Sequence, residues 1–111
     1  MSYHKFYPFC LTVESGDYRV VHYQPNEAKN ELDVSVVLEQ AYLHPGVGYG
    51  STLVQVDLPG YVELTTRPLA ILHPHRPVRT IFGGCTFSGP AGFQSIGAGK
   101  VSITGIIRYL L

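Results

Sequence analysis

The chain has 111 residues, of which 45% are hydrophobic and 14% charged, and its eight basic and eight acidic side chains cancel to a formal charge of zero. That length holds one core and excludes a second domain of ordinary size. Charge this sparse, against about 25% in an average globular chain, implies that part of the surface is covered by an interface.

The N-terminus, "MSYHKFYPFC", lacks the basic-then-apolar order of a secretory leader, and no run approaches the ~18 uninterrupted apolar residues of a membrane span. Neither is expected, and the chain is read as made and folded in a cytoplasm. "FCLTV" and "YRVVHY" flank "ESGD" at residues 14–17, which predicts a hairpin. Residues 26–31, "NEAKNE", favour a loop or one helical turn capped by Asn26. From residue 32 to 43 the alternation of Leu32, Val34, Val36 and Leu38 predicts a strand. In "TLVQVDL" Val54, Val56 and Leu58 share one face, with Gln55 and Asp57 on the other. Pro59 and Gly60 then suit a type II turn into a second strand, "YVELTT".

"LAILHPHRPVRTIF", residues 69–82, contains Pro74 and Pro77 and follows Pro68, so it reads as an edge strand or an extended surface segment. Residues 83–99 carry six glycines around Phe87, Phe93 and Ile96 and predict an ordered loop with buried aromatics. "KVSITGIIRYLL" places Val101, Ile103, Ile107 and Tyr109 on one parity, with Gly105 marking a bulge or a close backbone contact. The sum is an all-β chain of roughly six to eight short strands forming a single antiparallel β-sandwich or barrel, jelly-roll-like, over residues 1–111.

Motifs that carry chemistry are few. On a strand, His73 and His75 would share a face and could hold one metal. This HxH spacing resembles that of metal-binding double-stranded β-helices of the cupin type. That resemblance would imply a glutamate about four residues on and a later histidine, but Arg79 and Thr80 stand there and no histidine follows His75. "GPAGFQSIGAG" resembles the glycine-rich C-terminal motif of trimeric dUTP hydrolases, without the upstream glycine-tyrosine aspartate of that family. His4, His22 and His44 are isolated, and the serines of "GYGST" and "FSGPAG" stand outside any GxSxG elbow. There is no GxxxxGK[ST]. Asp57 and Glu63 flank one turn, but solvated strand faces explain them better than paired catalytic carboxylates. No enzyme, cofactor or bound metal is expected.

Cys10 and Cys85 belong to no ligand-spaced pair and read as buried free thiols, or as a disulfide if strands near the two ends are neighbours. Charge divides the chain: residues 1–63 carry all eight acids for a net −5, and residues 64–111 carry five bases and no acid for +5. Either the halves interleave and neutralise each other, or opposite signs on opposite sides help identical copies to dock. Arg76, Arg79 and Arg108 could together touch nucleic acid, although five scattered bases make a thin footprint. "GIIRYLL" ends on Leu110 and Leu111, which should be covered by the domain or by a neighbour.

In length, all-β pattern and tyrosine- and glycine-rich loops, the whole chain resembles small jelly-roll or β-sandwich virion proteins of bacteriophages, of the spike, cement or decoration type. The resemblance implies a structural, self-assembling subunit located in the virion, with homo-oligomeric and other virion proteins as partners. Arg76, Arg79, Arg108, Leu110 and Leu111 are then its interface candidates, acting with paired edge strands and the apolar C-terminal strand. A second reading is a small carbohydrate- or ligand-binding module using Tyr42, Tyr49 and Tyr61 as stacking platforms, and a third is a cupin-like metalloprotein.

Overall fold

A computed structural model of the chain describes residues 4–21, 34–46, 50–59, 64–81, 85–87, 90–97 and 99–110. Nine strands follow one another: β1 (His4–Val13), β2 (Tyr18–Val21), β3 (Val34–Leu43), β4 (Thr52–Pro59), β5 (Leu64–Leu72), β6 (Val78–Thr80), β7 (Thr86–Phe87), β8 (Ala91–Ile96) and β9 (Val101–Leu110). They form two antiparallel sheets. The first has the order β1-β9-β3-β6, with β7 also paired to β3, and the second the order β2-β8-β4-β5. Because β6 meets Gln40–Tyr42 and β7 meets Val36–Val37, the two short strands share one edge of the first sheet. The pairs β4-β5, β3-β6/β7, β2-β8 and β1-β9 are nested, so the chain is one long hairpin rolled into a jelly-roll-like sandwich. Among the described residues, no helix is long and apolar enough to cross a membrane.

Period-two alternation sets which side chains go inside. Phe9, Leu11 and Val13 from β1, Val34, Val36 and Leu38 from β3, and Val101, Ile103, Ile107 and Tyr109 from β9 line the inner face of the first sheet. Val54 and Val56 from β4, Leu72 from β5 and Ala91 and Phe93 from β8 oppose them. Phe87 joins the layers, its ring edge-on to Phe9 at 6.5 Å and to Phe93 at 5.8 Å.

Four sequence expectations change in detail. The "ESGD" turn is not a hairpin: Gly16 takes φ 77° within a turn closed by Asp17 N–H donating to the Glu14 carbonyl at 3.0 Å. Gly16 N–H and the Ser15 hydroxyl then bond to the carbonyls of Ser95 and Gly97, which ties the turn to the far end of β8 and sends β2 into the second sheet. The expected glycine loop is largely strand, since Ala91, Phe93 and Ser95 alternate inward and make β8 a central strand. Among the described residues the strands number nine because the edge beside β3 is split between β6 and β7. The strand expected from residue 32 is described from Val34, and the expected helical turn at residues 26–31 lies outside the described residues, as does Gly60.

Finally, the thiols are free and differently placed. Cys85 is buried, its carbonyl accepting from Leu38 N–H at 2.8 Å, and burial pushes its thiol pKa up, partly offset by the charge of Arg67. Cys10 is exposed on β1, separated from β3 by the whole of β9.

Gly105 behaves as expected. It sits in β9 opposite Leu38, where β3 bulges between Leu38 and Gln40, and an added Cβ would strike the Val37 carbonyl oxygen. Only a residue without a side chain lets the two central strands approach this closely.

Candidate interaction surfaces

Register assigns each outward side chain to a row across its sheet. On the first sheet the rows are Phe6, Arg108, Ser35; then Pro8, Ile106, Val37, Thr86; then Cys10, Thr104, Gln40, Thr80; then Thr12, Ser102, Tyr42, Val78. Arg108 is the one ionisable base among them, and its Nε donates to Ser35 Oγ at 3.1 Å. Glu39 occupies the bulge between rows. At the far end of this face, Ser102 is buried beneath a small polar network: its Oγ lies 2.6 Å from His44 Nε2 and 3.1 Å from Thr12 Oγ1. His44 in turn meets the edge of Tyr42 at 5.0 Å between ring centres.

The second sheet presents three rows: Ile96, Leu53, Ile71; then Tyr18, Gln94, Gln55, Pro68; then Val20, Gly92, Asp57, Thr66. Among the described residues of these rows Asp57 is the one acidic side chain, and it accepts a 2.6 Å hydrogen bond from the Thr66 hydroxyl. Tyr18 reaches Asp57 from two strands away because Gly92 lies between them; a Cβ on Gly92 would overlap the Tyr18 hydroxyl. Desolvation, together with the hydrogen bond to Asp57 and its negative charge, holds the Tyr18 phenol above its ordinary pKa.

Large apolar side chains concentrate on these outward faces. Phe6 (61% exposed) and Val78 stand on the first, and Val20 (65%), Ile71 (58%), Tyr18 and Ile96 on the second. The edges are built against pairing instead. Of the two long edge strands, β1 carries Pro8 and β5 carries Pro68, which remove ladder donors, while β2, β6 and β7 have four residues or fewer. The Thr12 carbonyl on the β1 edge is further occupied by Arg19 Nη1 at 2.8 Å. Both kinds of edge are therefore poor templates for strand pairing.

The remaining sequence candidates are dispersed. His73 and His75 are not on a strand: Arg76 N–H donates to the His73 carbonyl at 2.7 Å, so Pro74 and His75 form a tight turn that leaves β5 for β6. Their rings stack at 5.2 Å, and His73 Nδ1 accepts from the His75 backbone N–H at 3.1 Å. Among the described residues, no group of three His, Cys, Asp or Glu side chains could hold a metal ion. Arg76 lies in that turn and Arg79 on β6 opposite Ala41, whereas Arg108 pairs with Ser35, six residues back along β3 and about 20 Å away at strand rise. The three do not form one patch. In the apolar C-terminal strand, β9 is central: its odd-numbered side chains fill the core, while Thr104, Ile106 and Arg108 lie on the outward face. Leu110 pairs with His4 by its backbone, and its side chain, Leu111, Tyr49, Tyr61, His22 and Glu63 lie outside the description.

Tyr42 lines a cleft of about 510 Å³ at one end of the sandwich with His44, Pro74, Pro77 and the Lys100–Glu14 ion pair at 3.6 Å. That pair joins the acidic and basic halves within one molecule. The sequence reading missed Asp57 with Tyr18 and Ser102 with His44, since each set is assembled by sheet order; the glycine inside the alternating run of Ala91, Phe93 and Ser95 was the available signal for the first.

No family model and no curated protein matches the chain. Among solved structures it is similar to the Drosophila NLP core, described for pentamer formation and histone binding, at TM-score 0.66 and 22% identity over 94% of this chain and 95% of that one. A Bacillus endospore appendage protein of disulfide-linked pili gives TM-score 0.46 and 16% identity over 100% of this chain and 91% of that one. The first likeness shows a shared fold along nearly the whole chain.

Proposed function

We propose that this protein is a structural subunit that self-assembles through its sheet faces, the particle implied by its sequence pattern being a virion. One observation carries the reading: both outward faces of the sandwich are nearly free of ionised side chains and hold six of the large exposed apolar residues. A solvated face of an antiparallel sheet normally alternates to polar and charged residues, and apolar area of this kind marks an interaction site. The Drosophila NLP core, which shares the fold, is described as forming a pentamer; that assembly accompanies the reading without carrying it.

Native mass spectrometry and sedimentation of the purified chain test the proposal. Discrete or extended homo-oligomers at micromolar concentration are expected. A monomer that persists at the highest soluble concentration overturns it.

A further inference from the structure

We infer that the cleft of about 510 Å³ at the end of the sandwich is a binding site for a neutral saccharide. The inference goes beyond the self-assembly reading and does not depend on it.

Three observations carry it. First, the walls are fastened to one another although they come from segments far apart in sequence. Leu43 N–H donates to the Pro77 carbonyl at 2.7 Å, and His44 N–H to the Lys100 carbonyl at 2.9 Å. The His44 ring is held by its bond to Ser102 Oγ and stands 5.0 Å from the Tyr42 ring. The cleft is therefore preformed, and its volume falls in the range of ordinary small-ligand sites, about 300–1,000 Å³. Second, it contains an unmet hydrogen-bonding group. Thr52 is 1% exposed, and its hydroxyl, open to the cleft, has no partner among the described residues. A polar group so nearly buried costs stability unless it is bonded, and a ligand hydroxyl meets that need as donor and acceptor at once.

Third, the lining selects the chemistry. Its acidic and basic side chains, Glu14 and Lys100, lie 3.6 Å apart and compensate each other, so a charged ligand meets no unpaired opposite charge. A hydroxyl, by contrast, can accept from the ammonium while donating to the carboxylate. The Tyr42 ring and the rings of Pro74 and Pro77 supply apolar surface against which the aliphatic C–H faces of a pyranose pack. A ring with hydroxyls at its rim and apolar faces satisfies all of these groups together.

Saturation-transfer difference NMR of the intact chain, in its native oligomeric state, tests the site. The probes are glucose, galactose, mannose and N-acetylglucosamine, with N-acetylprolinamide as a non-sugar comparison. At least one sugar is expected to bind with a millimolar dissociation constant. Thr52→Val should weaken that binding about two- to tenfold, the worth of one hydrogen bond. The unfolding midpoint of this variant should stay unchanged or rise, because the hydroxyl it removes bonds nothing in the unliganded chain. Lys100→Ala leaves Glu14 uncompensated and should turn the preference from N-acetylglucosamine toward cationic glucosamine. Tyr42→Ala, verified as folded by circular dichroism, should abolish the signal; if it does not fold, the other two variants decide. No transfer to any of the sugars, transfer to N-acetylprolinamide in their place, sugar binding that Thr52→Val leaves untouched, or a lowered midpoint that marks Thr52 as structural would overturn the inference. Sedimentation of the same samples reads self-assembly separately, so either proposal can fail alone.

Discussion

The two sheets solve the same packing problem at their centres with opposite means. In the first, β9 and β3 approach so closely at Gly105 that no side chain fits; in the second, the centre is filled by Phe93, fully buried, opposite Val56 in register and edge-on to the ring of Phe87. Their outward faces differ in the same sense. The first covers itself with hydroxyls and the His44–Ser102–Thr12 network, whereas the second lays the Tyr18 ring over a glycine to reach Asp57. A face can thus be kept poor in charge by short polar groups that satisfy one another, or by an aromatic side chain that spans its neighbours. The two strategies leave few charges on each side: Arg108 and Glu39 on the first, Asp57 on the second, among the described residues.

The comparison can be broken most forcefully at the second centre. Phe93→Ala should cost about 3–5 kcal/mol, since it removes a buried aromatic and leaves a cavity between sheets. Denaturant unfolding measures the loss, and a cost below that of an ordinary surface change would show that the sandwich does not depend on this ring. Gly105→Ala tests the first centre by overpacking and should cost about 1–3 kcal/mol, with loss of amide protection along β3 and β9.

On the outward faces the effects are smaller and differ in kind. Ser102→Ala leaves His44 Nε2 and Thr12 Oγ1 without their shared partner and should destabilise by about 1 kcal/mol, with a shift of the His44 imidazole resonances. Gly92→Ala should change stability least, because the atom it meets is the far end of Tyr18, yet it should release the Tyr18–Asp57 hydrogen bond. The sign of the accompanying pH effect follows from the raised phenol pKa. The folded chain binds that proton more tightly than the unfolded one. Its contribution is therefore complete below the ordinary phenol pKa and is lost as pH rises through the folded value. Comparing unfolding midpoints in neutral and strongly alkaline buffer should show a smaller alkaline loss for Tyr18→Phe than for the wild type.

Much of this was legible from alternation. Val54 and Val56, the parity of Val101 to Tyr109 and the special role of Gly105 follow from residue types spaced two apart or from a missing Cβ. The low charge, and hence the expectation of a covered surface, came from composition rather than from alternation. Alternation failed at residues 91–96, where glycines around a strand read as loop, and at 14–17, where a good turn read as a hairpin although its bonds run to β8.

Local sequence determined the β class, the buried parity of each long strand and the thin supply of charge, because these depend on side-chain chemistry and the two-residue period of the backbone. Tertiary structure alone decided that β9 is central, that Cys10 faces out while Cys85 faces in, and that Arg108 and Asp57 stand on opposite faces. Those outcomes depend on which strands become neighbours, and hydrogen-bonded pairing between residues as distant as His4 and Leu110 leaves no mark in either segment by itself.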